Sequence, residues 1–190
     1  GIAGHRCLRG KGQAGRDADR TGSPGTPLGV PPRVGHVQDA VTIHIDAPIE
    51  AVWDLVSDVT RIGEFSPETF EAEWLDGATG PAVGARFRGH VKRNEKGPIY
   101  WSTCEVVTCE PNQRFTFDVK TGGKTVNTWG YKLQAASQGG TEVTEFFHLA
   151  ETIPLQIYWT LFGWARKKTN RNGMRRTLEA MKAVLETASS

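Results

Sequence analysis

The residue in this chain best placed to do chemistry stands in the segment TEVTEFFHLAE. Strict alternation puts Val143, Glu145 and Phe147 on one face, and Glu142, Thr144, Phe146 and His148 on the other. A carboxylate between two apolar neighbours on an inward face is costly unless it is hydrogen-bonded or lines a wet cavity. Burial would also raise its pKa, which is what a general acid or base needs. Two readings stay open: a cavity acid, or a glutamate tied to a neighbouring arginine or tyrosine for structure alone. Tyr131 in TVNTWGYKLQ shares a face with Trp129 and Leu133, and its hydroxyl is suited to donate to a ligand oxygen or to Glu145. Trp129, Phe117 and Trp101 supply aromatic walls of the kind that line apolar ligand pockets. The parity of PIYWSTCEVVTCE is ambiguous, because a bulge would exchange the face of Trp101, Thr103 and Glu105 with that of Ser102, Cys104 and Val106.

A second anomaly lies in the C-terminal segment. Met174, Leu178, Met181 and Leu185 keep the +4, +3, +4 rhythm of one helical face. Backward from Met174 the same face meets Asn170 or Arg171 and then Lys167, so its apolar stripe is interrupted. Polar side chains there fit a helix crossing a hollow, or equally a helix broken near Asn172-Gly173. The basic residues Arg166, Lys167, Lys168, Arg171, Arg175 and Arg176 read as a solvated helix surface, or as a patch touching an anionic membrane transiently.

Other chemistries find little footing. His44, His90 and His148 fall on outward faces, and no carboxylate completes a metal set with His44 and His148, which neighbour each other if first and last strands pair. Cys104 and Cys109, five residues apart in one strand, are expected on opposite faces and unable to bridge. There is no G-x-S-x-G, G-x-G-x-x-G or G-x-x-x-x-G-K motif. Neither a metal nor a cofactor is therefore expected.

The elements that must hold these residues follow from periodicity. Val41 to Asp46 alternates as a half-buried strand, and Pro48 opens a helix through PIEAVWDLVSDV, with Asp46 placed to cap it. A second helical turn runs from Thr60 to Phe65 and stops at Ser66-Pro67. Six strands follow in an antiparallel meander: TFEAEWLD, GARFRGHVKR, PIYWSTCEVVTCE, RFTFDVK, TVNTWGYKLQ and TEVTEFFHLAE. If continuous, the last helix, Leu155 to Thr187, would be about 50 Å long, with Gly163 and Gly173 its weak points. Seven strands with one apolar face need cover, and the long helix with two short N-terminal ones can give it.

Composition sets the bounds. All 17 aromatic residues lie between Trp53 and Trp164, whereas residues 1–39 hold 9 of the 22 glycines and 4 of the 10 prolines. Residues 1–39 read as a disordered leader and residues 40–190 as one domain. The net charge of +2 divides into +3 for residues 1–39, −5 for 40–149 and +4 for 150–190. An acidic body argues against nucleic acid as a partner. No apolar run reaches the roughly 18 residues that span a bilayer, and the sparse cysteines make the cytoplasm the expected location.

IDAPIEAVWDLVSDVTRIGEFSPE, GARFRGH, YWSTCEVVTCEPNQRFTF, TWGYKLQ, GGTEVTE and GMRRTLEAMKAVLE together resemble the START-like (SRPBCC) superfamily, and more closely its bacterial polyketide cyclase/dehydrase-type branch. The resemblance spans residues 40 to 187. It implies an α+β helix-grip fold: a seven-stranded curved antiparallel sheet around a long C-terminal helix, with a hollow between them for an apolar or aromatic ligand. The expected wall comprises Trp101, Phe117, Trp129, Tyr131, Glu145, Lys167, Asn170 and Met174. Three functions compete: a carrier or sensor of a hydrophobic small molecule, a cofactor-free cyclase/dehydratase working through Glu145, and an interaction module acting through the basic helix.

Overall fold

The computed structural model describes residues 38–92, 97–150 and 153–187, with residue 38 and residues 153–169 described in their backbone only. The leader and the side chain of Lys167 lie outside the described residues. The chain forms β1 (Gln38–Ile45), α1 (Ile49–Ser57), a 3₁₀ turn (Val59–Glu64), β2 (Thr69–Trp74), β3 (Arg86–Lys92), β4 (Ile99–Glu110), β5 (Arg114–Thr121), β6 (Lys124–Ala135), β7 (Thr141–Leu149) and α2 (Ile153–Thr187). The seven strands make one antiparallel sheet in the order β1-β7-β6-β5-β4-β3-β2. This is the START-like helix-grip arrangement that the sequence implied.

Alternation decides which face is buried. Val41, Ile45, Phe87, Cys104, Val106, Phe115, Phe117, Tyr131, Leu133 and Val143 come from six strands and join one apolar core. Met174, Leu178, Met181 and Leu185 of α2 complete it, together with Val52, Trp53, Leu55 and Val56 of α1. The four α2 residues are those of the +4, +3, +4 stripe, so the periodicity of a helix matched to the period of a sheet sets the docking. Polar bonds fix its far end. Lys182 Nζ donates to the His44 carbonyl oxygen at 3.0 Å, and the Asp46 N–H donates to Glu186 Oε1 at 2.9 Å.

Four local expectations are corrected. Strand β1 begins at Gln38 rather than Val41, so Asp39 belongs to the sheet and not to the leader. Asp46 does not cap α1: the helix starts at Ile49 behind an N-cap at Pro48, and no side chain caps it. Cys104 and Cys109 share the inner face, because the register shifts between Val106 and Thr108 and the extra residue, Val107, exchanges the parity. They are free thiols, roughly 17 Å apart along the strand at about 3.4 Å per residue. His44 and His148 stand at opposite ends of the β1–β7 pair, since the antiparallel register sets His44 against Glu142 and His148 against Gln38.

Gly130 shows where close packing dictates a residue type. A β-carbon there would lie 2.6 Å from Phe146 Cζ and 2.8 Å from the Phe115 carbonyl oxygen. The Phe146 ring therefore reaches over Gly130 on the outer face, with the Arg114 guanidinium 5.2 Å from its centroid.

The backbone of α2 is helical throughout, so Asn172-Gly173 does not break it. Gly173 is not demanded by packing, because a β-carbon there would meet nothing within 4 Å among the described residues. Gly173→Ala should therefore stabilise the protein by about 0.5–1 kcal/mol. A thermal melt should show the midpoint rising by about 2–4 °C per kcal/mol; an unchanged or lowered midpoint would mean that Gly173 serves something other than the helix.

Candidate functional site

Glu145 and Tyr131 face each other directly across β7 and β6. Glu145 is 5% exposed and Tyr131 5% exposed, both inside the apolar core face. The Tyr131 hydroxyl lies beside the Glu145 carboxyl group and draws its pKa down. Glu145 Oε2 is buried with no hydrogen-bond partner among the described residues. Burial pushes the Glu145 carboxyl up to about 8, against a hydrogen bond from Tyr131 that pulls it down. Burial also holds the Tyr131 phenol well above its usual value, and the nearby Glu145 charge adds to this. Near neutral pH the pair is thus a neutral acid beside a neutral phenol, able both to give and to accept hydrogen bonds.

Both open readings of Glu145 meet here. It is tied to a tyrosine, yet one oxygen is left over in a place where an unmet acceptor costs roughly 1–3 kcal/mol. Two further inner-face oxygens share that condition, Asp39 Oδ2 and Asn127 Oδ1. Asp39 accepts from Arg171 Nε at 2.9 Å through its other oxygen, which pins β1 to α2 one turn before the buried Met174. Sequence reasoning missed Asp39 because the strand was started too late, and passed over Asn127. The signal was present: Asn127 stands two residues before Trp129, and Asp39 two before Val41, each on the inward parity.

The structure brings together most of the predicted wall. Phe117, Tyr131 and Met174 are buried in one core cluster, and Trp129 packs against it. Trp129 also packs on Phe147 and Leu149, with ring centroids 4.8 Å apart between Trp129 and Phe147. Asn170 is half-buried on α2. Trp101 is not part of this group. The register sets it against His90, on the outer face, where it is 41% exposed and stacks on the His90 ring at 4.3 Å with the Arg88 guanidinium 4.4 Å from its centroid. The bulge at Val107 lies beyond Trp101 and leaves it outward.

The histidines have local partners. His44 Nδ1 lies 3.2 Å from Glu142 Oε1, and His90 Nδ1 lies 2.6 Å from Glu71 Oε1. Burial pushes the Cys104 thiol up to about 12, which keeps it protonated and unreactive as a nucleophile. A polar groove of about 560 Å³ crosses the outer face among Thr42, Arg114, Lys132, Glu142 and Thr144, and it contains none of the predicted wall residues.

This fold, an apolar sheet face covered by one long helix, has counterparts among known proteins. Residues 36–186 match the model of the family described as polyketide cyclase / dehydrase and lipid transport. The chain belongs to that family. A Polyketide_cyc-like protein of Corynebacterium glutamicum is 30% identical, covering 83% of this chain and 96% of that one, with a TM-score of 0.55. A START superfamily protein from Mycobacterium smegmatis gives a TM-score of 0.64 at 16% identity, covering 81% of this chain and 99% of that one. A protein from Nitrosomonas europaea gives 0.58 at 16% identity, covering 80% and 96%. The last two likenesses speak for the fold alone. No curated protein sequence matches the chain. No helix among the described residues is long and apolar enough to cross a membrane.

The raised pKa of Glu145 has a consequence for stability. Its folded value, about 8, lies above the unfolded one, about 4.3, so the folded state holds the extra proton between them. Glu145 therefore weighs least on the fold below the unfolded pKa, and its cost grows as pH rises from the unfolded value to the folded one. Relative to Glu145→Gln, wild-type stability should fall by on the order of 1 kcal/mol per pH unit between about pH 5 and 8, then level off. Urea unfolding of both proteins across this range measures it; parallel curves would show that the carboxyl is not desolvated.

Proposed function

We propose that this protein is a cytoplasmic carrier or sensor of a hydrophobic small molecule, held between the inner face of the sheet and α2. The observation that carries this reading is the Glu145–Tyr131 pair, a buried polar couple with one carboxyl oxygen unmet on an otherwise apolar face. Apolar pockets use a few placed polar groups of this kind to orient a ligand. Family membership supports the same class, since its description joins polyketide chemistry to lipid transport.

Acid–base catalysis on a polyketide-like substrate is the rival, and the Glu145 carboxyl near 8 favours it. Against it stands the lack of a second convergent titratable group: the phenol of Tyr131 is held too high to serve as a base near neutral pH. The carrier reading needs no turnover.

Native mass spectrometry of protein purified from its own host should show a retained apolar or aromatic compound. Titration of that compound should then find Glu145→Gln weaker or stronger by only about 0.5–1.5 kcal/mol, the span of one hydrogen bond. Polyketide-like substrates should bind without being converted. Conversion by the wild type that disappears in Glu145→Gln, with affinity kept, would replace the carrier by the enzyme.

A further inference from the structure

On the outer face of the sheet Arg86 meets Asp76, Arg88 meets Glu73, and Lys120 meets Glu105 and Asp118. Arg114 and Lys132 break that pattern. They stand directly opposite each other across β5 and β6. No ion pair joins either of them to a carboxylate among the described residues. Like charges directly opposite in an antiparallel pair destabilise it. Glu110 flanks Arg114 on the other side, across β4 and β5, yet the guanidinium leans away from it. Arg114 Nε donates to Thr116 Oγ1 at 3.3 Å on its own strand, and the guanidinium lies 5.2 Å from the ring centroid of Phe146 on β7. Gly130 permits this, because a β-carbon there would come within 2.6 Å of the Phe146 ring. The terminal nitrogens of Arg114 thus have no carboxylate to meet among the described residues, in the wall of the outer groove of about 560 Å³ that Lys132 also lines.

Thr144 continues the row, opposite Lys132 across β6 and β7 and opposite Thr42 across β7 and β1. The two threonine hydroxyl oxygens lie 2.8 Å apart, so one donates to the other and one proton is left to give. Guanidinium, ammonium and hydroxyl therefore line three adjacent strands, over about 10 Å at the usual strand spacing. All three are donors and two are cationic, which is the chemistry that holds a phosphate. The same groove contains Glu110 and Glu142 with the amides of Gln113 and Gln134, and His44 Nδ1 lies 3.2 Å from Glu142 Oε1. Those carboxylates oppose a second negative group and accept readily from hydroxyls. An ammonium ligand would suit them, but would leave the Arg114–Lys132 repulsion in place. We propose that this groove binds a phosphate monoester on a hydroxyl-rich body, its phosphate between Arg114 and Lys132 and its hydroxyls on the glutamates and glutamines. The groove volume lies within the range of small-molecule sites. It is on the opposite face from Glu145 and Tyr131, so it is independent of the carrier reading.

Isothermal titration of the full chain with inositol monophosphate, inositol and inorganic phosphate tests this. Inositol monophosphate should bind about tenfold or more tighter than either of the others. Lys132→Gln should weaken it about tenfold. Arg114→Lys keeps the charge, loses the fork and should also weaken it. Lys124 is an exposed lysine of the same strand outside the groove, and Lys124→Gln should leave binding unchanged. Sedimentation with phosphatidylcholine vesicles, with and without phosphatidylinositol phosphate, separates two sources of the same chemistry. Capture by the phosphorylated vesicles, reversed by soluble inositol monophosphate, assigns a lipid headgroup; soluble binding without capture assigns a free phosphate ester. Inositol or inorganic phosphate binding as tightly as inositol monophosphate would overturn the proposal. So would no binding at all, or a Lys132→Gln loss no greater than that of Lys124→Gln. Each of these results leaves the carrier reading standing.

Discussion

Everything in this molecule depends on covering the inner face of one seven-stranded sheet with a single helix. The sheet spends its alternate residues on that face, and the hydrophobic effect rewards their burial only if something apolar lies over them. The C-terminal half of α2 does this with four side chains, Met174, Leu178, Met181 and Leu185, which join the sheet's core as the helix packs along β1 and β7. α1 closes the same core, packed against β6 and α2. The C-terminal half of α2 is not free to slide, because Lys182 and Glu186 bond the backbone of the β1–α1 junction and Arg171 holds Asp39.

That seating explains where the polar residues fall. Packing is dense where the helical stripe is apolar. Toward the start of α2 the stripe gives way at Arg171 and Asn170. On the sheet, Asp39, Glu145 and Asn127 occupy the inward positions toward the same end of β1, β7 and β6. Among the described residues, polar atoms without partners therefore gather where the apolar stripe of the helix is interrupted. A protein that only needed a core would place aliphatic residues there, at a gain of roughly 1–3 kcal/mol for each acceptor removed.

The Glu145–Tyr131 couple is also an electrostatic device. Desolvation keeps the carboxyl protonated near neutral pH, so it gives and accepts hydrogen bonds without bringing a charge into an apolar space. The outer face works by opposite rules. There His90, Trp101 and Arg88 stack in the open beside Glu71 and Glu73, and each charge has a partner on a neighbouring strand. Such exposed pairs contribute little to stability and much to keeping that face in solution.

Much of this was legible in the chain itself. The order of elements, the meander, the inward parity of β5, β6 and β7 and the buried stripe of α2 all follow from local periodicity, because a strand repeats every 2 residues and a helix every 3.6. The same parity placed Glu145 beside Val143 and Phe147 and set Tyr131 within its reach. Tertiary structure decided what periodicity does not encode. A one-residue bulge at Val107 turned Cys109 inward, and register put Trp101 on the outer face and His44 and His148 at opposite ends of one strand pair. Register is a property of two strands together, fixed by which side chains the neighbouring strand and helix can bury. The inclusion of Asp39 in β1 has the same origin: its strand continues only because β7 is there to pair with it, and Arg171 is there to meet its charge.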